Sequence, residues 1–568
     1  MKKFKENIFQ KICSRNTLIA ILFVVFLFLR LFVNQASSSL ILASDNLKYL
    51  EASENFPFHS LYNGQLYLLH PPMFPYAIHF SSMVFQDDRI AAMIVSLLSS
   101  IITFFIIYKF FMLLTGNFNK AYAVLVLFTL SVPFIIASTA VLKESMVLML
   151  VFLTLYFYVK GVKFYEKKSI ILSAIFGSMM AITVDHVIFL FPSFIISYLI
   201  FNRQKVYIKK LKFPYLKYAL VPFLLTLLFY GAWTSIKYYQ YSHYKYYPNG
   251  LEGAPVNTDG LNIFSVISPS YFKDFSPPYI APGAVSVIKK YIFQFGYMFN
   301  MQPFSIPLGL NLTTFKYLLM PVHIVYMILL YIPLAIITAY GFFQIIKKAL
   351  KKERIHNNYD LYIIGVFLIF LFPITQKMTT PRFIYTSYII FFYFIAYGII
   401  LALEKLKVVL TYKKMLVFVI LLLAILPFWY YHHQTLVFST EKFISAQNTA
   451  NYINANIGKE NVIMAQQGYS AKLAYLTDNK VIGIYSIPGK LQDTIDYFNV
   501  SYIVFGRHYT SDVFHYNVET INYIKNNPNK FKFVAKVYED YSRFYSEKDL
   551  ARNDEVYIYK VVGDANQR

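Results

Sequence analysis

The sequence predicts a polytopic α-helical membrane protein, followed by a soluble α/β domain. Three observations carry that prediction. The 568 residues are 57% hydrophobic and only 14% charged, whereas a typical soluble domain carries about 25% charged residues. Eleven apolar runs lie between residues 17 and 431, candidates for spanning helices of roughly 20 residues although several are shorter. Beyond residue 431 no such run occurs, and 15 basic residues nearly balance 14 acidic ones. The same composition excludes an intrinsically disordered chain, which would be poor in apolar and aromatic residues. A collagen-like chain is excluded because 20 Gly and 23 Pro are scattered without a period.

The first apolar run, 17–34, follows Lys2, Lys3, Lys5, Lys11 and Arg15, a basic flank that faces the cytoplasm by the positive-inside rule. The small residues from Ala36 to Ser39 could also mark a cleaved signal peptide, but an uncleaved anchor is expected because the next segment carries the best motif in the chain. The remaining runs are 90–114, 121–137, 146–158, 170–183, 187–201, 218–236, 317–346, 361–373, 384–403 and 415–431. Counted from a cytoplasmic N-terminus, the inner segments 1–16, 109–120, 160–168, 202–217, 347–360 and 404–414 hold 26 basic and five acidic residues. They account for nearly all of the formal net charge of +24. The charge is therefore a topology signal, and no nucleic-acid partner is expected.

An odd number of spans places the C-terminus outside. Residues 1–431 form the membrane domain, with long outer loops at 35–89 and 237–316, and 432–568 form an extracytoplasmic α/β domain. In that domain the β-like runs 461–464, 480–484, 502–505, 531–537 and 555–561 alternate with helical stretches such as 440–456. The single cysteine, Cys13, excludes an intramolecular disulfide.

Ionisable residues at a membrane face usually line a cavity or an interface, so the acids of the outer turns are the first candidates for chemistry. The richest outer segment runs Ala43-Ser44-Asp45-Asn46-Leu47-Lys48-Tyr49-Leu50-Glu51-Ala52 and is followed by His70-Pro71-Pro72-Met73-Phe74-Pro75-Tyr76. Asp45, Tyr49 and Ala52 share one side of a short surface helix, with Ser44 as its N-cap. Asp45 can also be read as an acid in a first helical turn, where the dipole favours it. Lys143-Glu144-Ser145 forms a tight outer turn and Asp185-His186 another. The blander alternatives are an interfacial ion pair with a snorkelling lysine and a turn with a helix cap. Taken together, Asp45, Glu144 and Asp185 with His70, Lys143 and His186 suit a carboxylate base beside an acceptor hydroxyl, with cations facing a phosphate leaving group.

The order of these features resembles the GT-C glycosyltransferases that use polyprenyl-phosphate sugars, in particular the family 39 and protein O-mannosyltransferase-like group that includes the aminoarabinose transferases. There an acid opens the first outer loop with a Tyr a few residues on, a Pro-Pro element follows, and a second acid precedes the fourth helix. Asp45 with Tyr49, His70-Pro71-Pro72 and Glu144 match in turn. Thr380-Pro381-Arg382-Phe383-Ile384-Tyr385 is similar to the family's late Arg-aromatic segment. The resemblance covers most of residues 17–431. It departs at Asn46, where a second acid is common, which weakens any metal-binding reading of the loop. No Trp-Trp-Asp-type element follows the last span, unlike in oligosaccharyltransferases.

The resemblance implies a GT-C fold and a hexosyl- or mannosyltransferase-like enzyme of the cell membrane. It would move a sugar from a polyprenyl- or dolichyl-phosphate carrier to a hydroxyl of a protein, lipid or glycan on the outer face, with inversion. It implies Asp45 as general base and Glu144 as its support or as an acceptor-positioning group. Tyr49, His70, Lys143, Asp185, His186 and Arg382 become substrate-binding residues, Arg382 being suited to grip phosphate in a bidentate way. No cofactor beyond the lipid-linked donor and no metal ligand set is expected; participation of a divalent cation is left open. Two other classes compete: a transporter or flippase of lipid-linked sugars, and a non-catalytic assembly protein. No internal repeat of the kind common in transporters is found, and the acids gather at one membrane face rather than at mid-depth.

The tyrosine-rich stretch Tyr238-Tyr239-Gln240-Tyr241-Ser242-His243-Tyr244-Lys245-Tyr246-Tyr247 is expected in the outer loop, at the membrane interface or against a sugar. The 237–316 loop is long enough to cover a site.

Overall fold

In a bilayer an apolar segment must satisfy its backbone within itself, so the long apolar runs of this chain fold as helices. The structure, a computed structural model, describes residues 15–37, 49, 50, 52, 53, 71–206 apart from 140, 185, 186 and 188, then 214–243, 332–350, 359–371 and 385–405. In the C-terminal part it describes 446–466, 473, 474, 476–484, 491–506, 522–539 and 555–562. The helices are α1 Arg15–Ser37, α2 Met73–Phe85, α3 Asp88–Thr115, α4 Phe118–Leu130, α5 Val132–Thr139, α6 Glu144–Phe164 and α7 Lys167–Ala181. They continue with α8 Leu190–Val206, α9 Pro214–His243, α10 Ile332–Leu350, α11 Tyr359–Leu371 and α12 Tyr385–Lys405. Ten of the eleven apolar runs thus hold a described helix, and 415–431 lies outside the described residues. Segments Asp88–Thr115, Glu144–Phe164, Tyr218–Ile236 and Tyr385–Lys405 are each long and apolar enough to cross a membrane. The protein is a multi-pass membrane protein.

Contacts divide the chain into two units, Met1–Ala36 with Met93–Trp233 and Phe275–His433, and Ser37–Ala92 with Thr234–Asp274 and Gln434–Arg568. In the first unit α12 is central: its span is 78% buried, against 28% for that of α9. Phe111 of α3 stacks on Tyr393 at 5.5 Å, and Phe134 of α5 packs edge-on against Phe392 at 5.9 Å. α10 crosses α12 with backbone in contact, because a Cβ on Gly398 would lie 2.1 Å from the Ile337 carbonyl oxygen and one on Gly341 would lie 2.5 Å from that of Phe394. Close approach of this kind replaces the hydrophobic drive that lipid cannot supply. α9 instead exposes Leu220, Leu224, Leu228 and Phe229, as a helix facing lipid does.

Three local features differ from the sequence expectation. The run 121–137 is not one helix: Ser131 is extended (ψ 118°), and its carbonyl accepts from Phe134 and Ile135 to start α5. Pro133 removes the N–H that the Thr129 carbonyl would meet in an unbroken helix. The tyrosine-rich segment begins as helix rather than loop, with α9 running to His243. A helix was also missed in the first outer segment, where α2 follows Pro72 directly and carries Pro75 in its first turn, the position where proline costs no backbone bond. In the second unit α2 packs Phe74 edge-on against Tyr49 at 5.1 Å.

Residues 446–562 hold a five-stranded sheet in the order β2-β1-β3-β5-β4. The strands are β1 Val462–Gln466, β2 Val481–Ile484, β3 Val500–Gly506, β4 Phe531–Tyr538 and β5 Glu555–Val561. β1 is parallel to β2 and β3, while β5 is antiparallel to β3 and β4. Strand alternation sends Ile463, Ala465, Val504 and Ile558 to one face, against Ala450 and Ile453 of α13 (Gln447–Asn456). Met464, Ile503 and Phe505 go to the other, against Leu491 and Ile495 of α14 (Leu491–Phe498). The buried Glu539 carboxylate accepts from the backbone N–H groups of Asn448 and Thr449 and so caps α13. At the sheet edge Glu555 and Tyr538 hold the Lys536 ammonium above its ordinary pKa by hydrogen bonding.

Candidate active site

The turn after α5 is fixed by two hydroxyls. Ser145 Oγ donates to the Ala137 carbonyl at 2.8 Å, folding the head of α6 back on α5. Ser96 Oγ of α3 donates to the Leu142 carbonyl at 3.3 Å. Glu144 is the first residue of α6 and is 7% exposed. It stands at the positive end of a 21-residue helix, where a negative charge is favoured.

Glu144 and Lys143 open onto a cavity walled by apolar side chains. Val147, Leu148 and Val151 come from α6, Met180 from the end of α7, Val184 and Phe189 from the following turn, and Phe370 from α11. The first turn of α12 closes it with Tyr385 and Thr386. Its volume of about 40 Å³ fits two or three water-sized groups. Phe134 packs on Tyr385 at 5.2 Å, so the helix that delivers the Lys143-Glu144 turn rests on the residue that closes the cavity. An acid in a largely apolar cavity interacts more strongly with a neighbouring charge or donor than it would in bulk water.

Of the residues singled out in the sequence, Lys143 and Glu144 meet in this cavity. Tyr49 is buried against Phe74 in the other unit. Asp45, His70, Asp185, His186 and Arg382 lie outside the described residues. Two cavity residues are their near neighbours in the chain: Val184 precedes Asp185, and Tyr385 follows Arg382 by three positions. Phe370, Met180 and Thr386 were not foreseen, because nothing in an apolar run marks which of its faces meets a remote turn. Arg30 was also missed, although a lone arginine in an apolar run is a visible signal.

The fold of these helices is shared with a solved structure. The structure is similar to the crystal structure of the Archaeoglobus fulgidus oligosaccharyltransferase in the apo form, with a TM-score of 0.55 at 11% identity, covering 94% of this chain and 75% of that one. It also matches ArnT from Cupriavidus metallidurans, bound to undecaprenyl phosphate (TM-score 0.41, 11% identity, 95% and 98% covered) and in the apo state (0.42, 12%, 95% and 97%). Within the chain, residues 69–230 match the sequence model of the family described as dolichyl-phosphate-mannose-protein mannosyltransferase. That segment holds the Pro71-Pro72 element, the Lys143-Glu144 turn and seven complete helices, α2 to α8. No curated protein matches the chain. The resemblance to protein O-mannosyltransferase-like GT-C enzymes therefore stands on the fold and on this segment.

Proposed function

We propose that the protein is an integral membrane glycosyltransferase that moves a sugar from a polyprenyl- or dolichyl-phosphate carrier to an acceptor hydroxyl on the outer membrane face, with inversion. The observation that carries this reading is Glu144, an acid at a helix head in an apolar chamber, beside Lys143 and closed by the helix that follows Arg382. The family match over 69–230 supports the lipid-phosphate donor. In this mechanism Asp45 takes the proton of the acceptor hydroxyl as its oxygen attacks the anomeric carbon. The bond from that carbon to the phosphate oxygen breaks on the opposite side, and the lipid phosphate leaves. Glu144 orients the acceptor or supports Asp45. Arg382, with Lys143, His70 and His186, meets the charge that grows on the phosphate. Tyr49 and Asp185 complete the substrate contacts.

The architecture belonging to this proposal is eleven spans with a cytoplasmic N-terminus, and residues 432–568 outside. The likeness to an oligosaccharyltransferase is one of fold: Trp233 and Trp429 are the chain's two tryptophans, so no Trp-Trp-Asp element exists. The acceptor hydroxyl is that of a protein, lipid or glycan, the transfer is hexosyl- or mannosyltransferase-like, and no metal is assigned to the reaction. The test is transfer from a purified lipid-phosphate sugar by membranes containing Asp45→Asn protein. Transfer should vanish while the protein accumulates normally. Near wild-type transfer would remove Asp45 from the role of base.

A further inference from the structure

A charge in the middle of a membrane helix needs partners, and Arg30 has unusual ones. It lies about 22 Å along α1 and is fully buried. Among the described residues it has no carboxylate partner. Its guanidinium stacks over Phe26 with 3.6 Å to the ring centroid, with Phe128 at 5.4 Å. Nε donates to Ser100 Oγ at 3.3 Å and Nη1 to the Phe26 carbonyl at 3.4 Å. Nη1 also donates to the Thr129 carbonyl at 3.2 Å, across 99 residues of sequence. Nη2 is buried with no hydrogen-bond partner among the described residues.

The Thr129 carbonyl is the informative contact. In an unbroken helix it would accept from residue 133, which is Pro133 and has no N–H. In hydrocarbon an orphaned carbonyl is costly, and such breaks persist only where another group re-satisfies the backbone. Arg30 is that group. Eight residues of α5 then lead from the break to the turn that carries Glu144, and Ser145 and Ser96 clamp that turn.

We propose that Arg30 is a positioning residue for transfer: by supplying the donor that Pro133 withholds, it holds the α4–α5 break open and so sets where Glu144 enters the cavity. This rests on the reading of Glu144 as part of the transfer site. The chain of contacts runs from guanidinium to carbonyl, to helix direction, to the acid.

The experiment compares Arg30→Met, Arg30→Lys and Arg30→Met with Pro133→Ala. Each is assayed for transfer and, separately, in a Cys13→Ser, Leu142→Cys background, for alkylation of the turn thiol. Arg30→Met is expected to lower kcat roughly 10- to 100-fold with KM little changed, the scale of a misplaced catalytic group, and to alter the alkylation rate at 142. Arg30→Lys, which keeps a cationic donor on a long side chain at the same position, should restore most of kcat. The double variant regains an N–H at 133, so its thermal midpoint should recover while kcat stays low, because a mended helix no longer aims the turn correctly. Wild-type alkylation and kcat in Arg30→Met would overturn the proposal, as would Arg30→Lys behaving like Arg30→Met. A changed alkylation rate with unchanged transfer would uphold Arg30's hold on the turn and remove Glu144 from the transfer site instead. If Arg30→Met does not accumulate, the lysine variant against the double variant decides: equal kcat in the two overturns the positioning role.

Discussion

Glu144 is the residue on which the functional reading turns, and its surroundings predict how it will respond to change. Glu144→Gln keeps shape and hydrogen-bonding capacity but removes the charge. A general acid–base or orienting carboxylate contributes about 10²–10⁴-fold, so transfer should fall by at least about 100-fold, while yield and melting in detergent stay near wild type. Transfer within threefold of wild type would make Glu144 a structural helix-head acid. A second acid, Glu539, sits far along the chain and does a plainly structural job. Glu539→Ala would leave the Asn448 and Thr449 N–H groups without their carboxylate, a cap loss worth about 0.5–2 kcal/mol. Hydrogen exchange in the full-length protein should report it as faster exchange of the α13 amides, with transfer changed little.

At the scale of elements, two glycines in helices make opposite predictions. Gly398 meets the α10 backbone, so Gly398→Ala must push α10 and α12 apart, and overpacking of this kind costs about 1–3 kcal/mol. Gly231, in α9, has nothing within 4 Å of where its Cβ would be. Gly231→Ala should therefore be neutral or stabilising by about 0.5–1 kcal/mol, the helix cost of glycine. Thermal melts of the two variants in one detergent check the contrast. Element identity was legible wherever hydropathy was long and uniform: the expected run 146–158 lies inside α6, and 384–403 nearly coincides with α12. Interruption was less so. Pro133 was visible, but the same residue also occurs inside α9 as Pro222 without ending that helix. Whether a proline breaks a helix depends on what re-satisfies the freed carbonyl, and that partner is remote in sequence. α2 was hidden for a related reason, since its Pro72 and Pro75 read as turn signals until one sees that both occupy the helix head.

For the whole molecule, the proposed topology makes a prediction that needs no activity. Single cysteines in a Cys13→Ser background, one in 347–360 and one in 507–521, should label oppositely with a membrane-impermeant thiol reagent. The second is expected to react in intact cells and the first only after permeabilisation; the reverse pattern would invert the outer-face assignment. Transfer is also expected to persist in EDTA, and its loss with recovery on adding a divalent cation would assign a metal to the site. The sequence by itself determined the class of molecule and where most of its long apolar helices lie. That follows because lipid offers no hydrogen bonds: a segment's own hydropathy decides whether it is a helix, and lysines and arginines mark the loops that stay inside. Only the tertiary structure decided which residues meet. Glu144 and Tyr385 line one cavity from more than 200 residues apart, and Arg30 finds the Thr129 carbonyl across 99. Such contacts depend on close packing between helices whose apolar faces look alike in sequence, so no period or propensity along the chain encodes them locally.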